Sequence, residues 1–427
     1  MRCTSISRAA SMATIEVAVN GRQSTDAKAR CGAAQILGNL SIGRYTLSSD
    51  TAHEARRQLT SRCTSPRILV REVVHPSCKQ PGSALPKVSV VLPVFNGELH
   101  IAEAIRSILS QSLADLALIV VDDGSVDSTA LIVSSIEDRR IRLVRNSSNK
   151  GICFSLNRGL DLADSEYVAR MDADDVARPT RLEAQVGFAD RHDTVACCGS
   201  WMEEFGHGRR IVKRLPLRHA SLTALMCFDS PLFHPTVVMR TRFMDTNHLR
   251  YSADAQDAED YDMWERVAQL GRLANVGEVL HSYRVHEGQV STLRRSQQVR
   301  TADAIRARAV RRFGVLDESD VPAFNRFCNL PLIVTMAELA EFIDIAKKGM
   351  SRSMRIGDEF AAEFRRGIVE RWLYACVHGE GILDVPRYLA KGVGAIRLRR
   401  ILESVLASYR LRKGDLVRLL ADRLPRN

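Results

Sequence analysis

The chain has 427 residues, 45% of them hydrophobic and 26% charged, with a net charge of +11. These proportions are those of a globular protein, and no apolar run reaches the ~18 residues that a membrane-spanning helix needs. The charge is uneven: residues 1–86 carry 12 Lys+Arg against 5 Asp+Glu and residues 294–427 carry 26 against 16, so the middle is acidic, which argues against a nucleic-acid groove there.

Residues 1–84 show no sustained period of 2 or 3.6 and are rich in Ser, Thr, Ala and Arg. They read as a disordered leader, an organelle transit peptide, or sequence ahead of a later start near Met12. No 7–15-residue apolar signal core is evident, and the expected location is the cytoplasm. The ten cysteines include no CxxC pair, which argues for reduced, buried thiols rather than a zinc site.

From Pro86 the text alternates between strand and helix. "KVSVVLPVFNGE" (87–98) is a buried strand ending in a loop, and Ile101, Ile105, Ile108 and Leu109 recur at helical spacing after it. "LALIVVDDGSVDST" (116–129) is a second strand ending in acids and a glycine turn, with Asp127 and Ser128 placed to cap a helix running to Ile136. "IRLVRN" (141–146), "GICFSLNRGLDLA" (151–163) and "EYVARMD" (166–172) continue as strand, helix, strand. The alternation predicts an α/β fold, a mostly parallel sheet flanked by helices. Ligands of such sheets bind beyond the C-terminal strand ends, where Asn96, Asp122, Asp123, Asp172 and Asp174 all fall.

In "MDADD" (171–175), residues i and i+2 of an extended chain point to one side. Asp172 and Asp174 can therefore face one hard cation, Mg²⁺ or Mn²⁺; the bland alternative is a polar turn before the helix that starts near Pro179 and Thr180. "AEDYDMWERVAQLG" (258–271) reads as a helix with Glu259 and Asp260 in its first turn. There they either compensate the helix dipole or supply a general base. "HSYRVHEGQVS" (281–291) concentrates His281, Tyr283, Arg284, His286 and Ser291, either as metal and phosphate contacts or as an alternating strand. Beyond residue 295 the pattern is helical, with Leu398, Ile401, Leu402, Val405, Leu406 and Tyr409 on one stripe among arginines.

Eight blocks in order, "VSVVLPVFNGE", "IRSILSQS", "VVDDGSVDST", "NKGICFSLNRGL", "YVARMDADDVARPTRLEAQ", "HPTVVMR", "EDYDMW" and "YRVHEGQVS", resemble glycosyltransferase family 2, the inverting group with a GT-A fold. The last blocks are similar to bacterial members that build envelope polysaccharides. The resemblance covers roughly 86–292 and implies a GT-A catalytic domain over 85–292; the leader at 1–84 and the helical region at 293–427 lie outside it. It implies a nucleotide pocket lined by Pro93, Phe95, Asn96 and Glu98. It gives Asp123 the base, uracil through its N3–H, with Arg170 assisting, and sets Asp172 near the ribose and metal. It makes Asp174 the principal ligand of Mg²⁺ or Mn²⁺ at the diphosphate, brings His286 to the metal on loop closure, and makes Asp260 the catalytic base.

The implied reaction moves one sugar from a nucleotide-sugar, a UDP-sugar first, to a glycan or lipid-linked acceptor by a single inverting displacement. The Gln-x-x-Arg-Trp motif and trailing membrane helices of processive synthases are missing from the sequence, so one sugar per encounter is expected. The basic C-terminal stripe fits either packed helices or peripheral contact with a membrane bearing the acceptor. Two rivals stay open. A sugar-phosphate nucleotidyltransferase needs a glycine-rich, basic phosphate loop after the first strand, where this chain reads "PVFNGELHIAEA". A non-catalytic nucleotide-sugar or glycan-binding protein predicts loss of the metal acid or the base.

Overall fold

The computed structural model of the protein describes residues 85–206, 208, 210–286, 295–329 and 336–378. The leader at 1–84 and the stripe at 398–409 lie outside the described residues. Four strands, β1 (Val88–Val94), β2 (Leu116–Asp122), β3 (Ile141–Arg145) and β4 (Tyr167–Arg170), run parallel in the order β3-β2-β1-β4. Every β1 residue is buried, as expected of a central strand covered on both faces. Its side chains alternate between two cores. Val88, Val90, Leu92 and Val94 pack with α1 (Ile101–Leu109) and α4 (Arg181–Asp190). Val91 points the other way, to Leu156 and Leu160 of α3 (Ile152–Leu162).

Helix α2 (Thr129–Ser134) is shorter than expected and ends before Ile136. Its start is held by Asp127 rather than by the Ser128 side chain: Asp127 Oδ1 accepts from the Thr129 amide at 3.0 Å and from its hydroxyl at 2.5 Å.

The sheet then changes direction. Strand β8 (Val238–Arg240) pairs antiparallel with β4, β6 (Val195–Phe205) antiparallel with β8, and β9 (Arg272–Arg284) parallel with β6. The two-residue β5 (Val176–Ala177) pairs antiparallel with the end of β9, and β7 (Ile211–Lys213) with β6. The nine strands thus form one mixed sheet, parallel in the half built from the βα units and mixed beyond it.

The second face carries α3, α5 (His219–Leu225), α7 (Glu259–Leu270), α8 (Arg295–Arg312), α9 (Val321–Asn329), α10 (Met336–Ser353) and α11 (Asp358–His378). Tyr261 and Trp264 of α7 share one core with Ile305, Phe324, Phe342 and Phe364 of the later helices. Fully burying each aromatic contributes about 1.5–3 kcal/mol, so the helices described at 295–329 and 336–371 are packed helices. No helix among the described residues is long and apolar enough to cross a membrane.

Candidate active site

The strand ends build the site. Asp122 and Asp123 close β2. Asp122 is fully buried, accepts from the Ser125 amide at 2.8 Å and lies 3.1 Å from Arg145 Nε, so it shapes the turn. Asp123 faces the next loop. Its Oδ1 accepts from Asn146 Nδ2 at 2.6 Å and the Lys150 amide at 2.9 Å, and its Oδ2 from the Gly151 amide at 2.8 Å. A carboxylate has about four acceptor sites, so one remains for a base N–H. Gly124 permits the turn: its φ is +76°, and a Cβ there would meet the Ser148 backbone at 2.7 Å.

The loop after β1 is laced to this turn. Asn96, with a left-handed φ of 53°, accepts from the Val126 amide at 2.9 Å through Oδ1, and its own amide donates to Ser125 Oγ at 2.9 Å. Glu98 Oε2 accepts from the Ser128 amide at 2.9 Å. Of the four residues expected to line the nucleotide pocket, Pro93 is buried within β1, Phe95 is exposed, and Asn96 and Glu98 hold the rim together.

The three acids after β4 have separate environments. Asp172, Asp174 and Asp175 bring ligand oxygens within 4.8 Å of one another. Asp172 pairs with Arg170; burial raises its pKa while Arg170 pulls it down. Asp174 is partly exposed, and its Oδ2 lies 3.0 Å from His286 Nε2. Asp175 is fully buried and occupied: Oδ2 lies 2.7 Å from His281 Nε2, and Oδ1 accepts from the Arg284 amide at 2.8 Å. Arg284 also donates from Nε to the Asp174 carbonyl at 2.7 Å. The third acid therefore ties the end of β9 to the acidic loop.

A buried relay supports that tie. The guanidinium of fully buried Arg181 lies 3.3 Å from His281 Nδ1 and donates to the Arg170 carbonyl at 2.7 Å. A guanidinium only donates, so Nδ1 is the acceptor and Nε2–H points at Asp175. His281 is neutral, in keeping with a pKa held well below the ordinary value by burial and Arg181. Burial, with Arg170 nearby, pulls Arg181 itself down to about 10. His281, Ser282, Tyr283 and Arg284 lie on strand β9 rather than in a loop; of the expected cluster, His286 follows the strand and Ser291 lies outside the described residues.

A second group of acids starts α7. Ser230 Oγ donates to Asp260 Oδ2 at 3.1 Å. Burial raises the Asp260 pKa, opposed by the Tyr261 amide, Ser230 and Arg170. Its neighbour Glu259 is buried and pushed up to about 7 by burial and by Asp260. Glu259 Oε1 lies 4.0 Å from His234 Nδ1, and His234 Nε2 is 3.0 Å from the Tyr251 hydroxyl. Burial, with Arg170, drives the His234 pKa well below its usual value, so His234 faces Glu259 as a neutral ring. Burial thus raises both adjacent carboxyls, and the Asp260 charge raises Glu259 further. Arg170 is the common cation, acting on Asp172, Asp175, Glu259 and Asp260.

The Glu259 shift carries a stability prediction. A carboxyl raised from the ordinary 4.5 to about 7 stabilises the fold fully below 4.5 and loses that contribution as pH rises to the folded pKa, about 3 kcal/mol over the interval. Urea unfolding of Glu259→Gln is expected to weaken by about 3 kcal/mol less than the native protein over that interval. Parallel curves for the two proteins would remove the buried-acid assignment.

Of the residues singled out in the sequence, Asp123, Arg170, Asp172, Asp174 and His286 lie at or just beyond strand ends and Asp260 lies at the start of α7. The sequence did not signal Arg181 and His234, the tie made by Asp175, or the burial that raises Glu259. "RPTRLEAQ" and "HPTVVMR" were visible as blocks, but no local period shows which far strand they meet.

Among known proteins, the Glycosyl transferase family 2 model matches residues 89–248. An uncharacterized glycosyltransferase of Haemophilus influenzae is 36% identical over 233 residues, spanning 52% of this chain and 72% of that protein. The amylovoran biosynthesis glycosyltransferase AmsE of Erwinia amylovora is 29% identical over 213 residues, 48% of this chain and 79% of its own. A crystal structure of S. aureus TarS 1–349 with UDP-GlcNAc gives a TM-score of 0.47 at 18% identity, over 66% of this chain and 90% of that one. This chain belongs to glycosyl transferase family 2 and is a glycosyltransferase enzyme.

Proposed function

We propose that the protein moves one sugar from a nucleotide-sugar, a UDP-sugar first, to a hydroxyl of a glycan or lipid-linked acceptor in envelope polysaccharide synthesis. The reaction is an inverting, metal-dependent displacement. The observation that carries it is the acidic cluster Asp172, Asp174 and Asp175 with buried Arg170 paired to Asp172 and acting also on Glu259 and Asp260. The kinship with AmsE supports the polysaccharide setting.

The donor set fits a divalent cation. Clustered carboxylate oxygens suit Mg²⁺ or Mn²⁺. Asp174 would hold it with His286, whose Nε2 already faces the Asp174 carboxylate, and Asp172 would stand beside the ribose. When bound, the cation supplies Lewis acidity for the charge that builds on the leaving diphosphate. The remaining work falls to side chains. Asp123 uses its last acceptor site for the nucleobase N–H. Asp260, ionised, takes the proton of the acceptor hydroxyl as that oxygen attacks the anomeric carbon from the face opposite the leaving group. The C1–O bond to the diphosphate breaks as the new one forms, and one displacement inverts the centre.

The test is nucleoside diphosphate release by the full chain with Mn²⁺ or Mg²⁺ across UDP-, GDP- and dTDP-sugars. Release from one donor, lost with chelator, is the expected result. Pyrophosphate instead of nucleoside diphosphate would point to a nucleotidyltransferase. Metal-dependent UDP binding with no release, even with lipid-linked and glycan acceptors present, would leave a binding protein.

A further inference from the structure

Residues 226–230, between α5 and β8, join the C-terminal helices to the first turn of α7. Phe228 is 1% exposed. Its ring lies 5.4 Å from that of Phe324 on α9 and 4.9 Å from that of Phe364 on α11, with the Arg371 guanidinium 4.7 Å above it. Its carbonyl accepts from Arg306 Nε on α8 at 2.9 Å and from Arg371 Nη2 on α11 at 3.2 Å. Two cationic donors use both lone pairs of that oxygen. Arg306 is held in turn by Asp303 and by Asn329 Oδ1 at 3.1 Å. Gly367 leaves room for the ring: a Cβ there would meet Phe228 atoms at 2.6, 2.7 and 3.0 Å. On the other side of the loop, the Tyr261 hydroxyl donates to the Met226 carbonyl, and Ser230 Oγ donates to Asp260 Oδ2 at 3.1 Å.

We propose that helices α8, α9 and α11 are a positioning device for Asp260: they grip Phe228 by its ring and its carbonyl, and so hold Ser230 against the carboxylate. The inference rests on Asp260 being the base. It gives residues beyond the matched family segment at 89–248 a part in the reaction. Phe228 and Ser230 are two residues apart, so a displaced ring moves the hydroxyl, and a misplacement of about 1 Å can cost on the order of a hundredfold in rate. Ser230 also stabilises the ionised acid, since a hydrogen bond to the charged form favours it. The other groups acting on Asp260 are Arg170 from β4, the Tyr261 amide on α7 and Asp229 in the loop; Glu259 on α7 and Tyr251 before it also sense its charge.

Gly367→Ala tests the grip from a distance. Alanine is the better helix former, so any harm comes through the Phe228 ring. In the full chain, turnover is expected to fall about ten- to a hundredfold while affinity for UDP with Mn²⁺ stays at the native value. The acidic limb of the rate profile should move up by about one pH unit, and Ser230→Ala should move it the same way. Amide hydrogen exchange should quicken at 226–232 and 259–262 and remain native in β1–β3. Arg311→Ala, which removes a surface pair between α8 and Glu318 in the turn before α9, should change none of these. Native turnover, or native exchange at 226–232, in Gly367→Ala overturns the proposal. If no donor in the panel turns over, the exchange result alone decides it. Native turnover in Asp260→Asn would sink the base assignment, whatever Gly367→Ala shows.

Discussion

Asp260→Asn is expected to lower turnover by about 10²–10⁴, the range a general base contributes, with UDP affinity unchanged. The substitution keeps the size of the side chain and an oxygen for the Ser230 hydroxyl, which lies 3.1 Å from Oδ2 in the native protein. It removes only the capacity to take a proton. The pH profile provides the sharper reading. Burial raises the Asp260 pKa, so the native acidic limb should sit above the ordinary aspartate range and disappear in the variant. Nucleoside diphosphate release followed across roughly pH 4–9, a window that brackets these carboxyls, measures both. If turnover survives and the limb remains, the base lies elsewhere, and Glu259, pushed up to about 7, is the next residue to replace.

Asp174→Ala should act on a different step. Loss of an ordering partner at a metal site already costs about 10–100-fold in metal affinity, and loss of a ligand should cost at least that. Calorimetry of UDP binding with Mn²⁺ is expected to show a drop of that size or more, and turnover should fall by about 10²–10³ as the leaving diphosphate loses its counter-charge. UDP affinity without metal should barely change. A variant that binds UDP and Mn²⁺ as the native chain does would mean that the acids serve only the turn. Asp175 is not an equivalent choice, because its two oxygens are engaged by His281 and the Arg284 amide.

The parts of the fold that were legible are those written in local periods. The seven buried residues of β1, the stripe Ile101, Ile105, Ile108 of α1 and the acids at strand ends needed no knowledge of distant neighbours. The direction of the later strands was not legible, because β6, β8 and β9 pair across separations that no local pattern records. The same holds in the site. Asp172 and Asp174 do come together, but through a turn at 173–174 beyond the end of β4 rather than through the strand period. The partner of Asp175 was not legible, because His281 lies 106 residues away. Phe228 carried no signal at all, since its partners Arg306 and Arg371 lie 78 and 143 residues on.

Strand β5 is only two residues long, yet it pairs with His281 and Ser282 directly after Asp175. The acidic loop is thereby pinned by sheet hydrogen bonds at both ends, from β4 behind it and β9 ahead. Most of the backbone freedom of that loop, of the order of 1–2 kcal/mol per residue, is surrendered when the chain folds and not when the ligand arrives. Repulsion among three neighbouring acids is then borne by the global stability of the sheet, and a donor arriving with its cation meets a cradle that is already set.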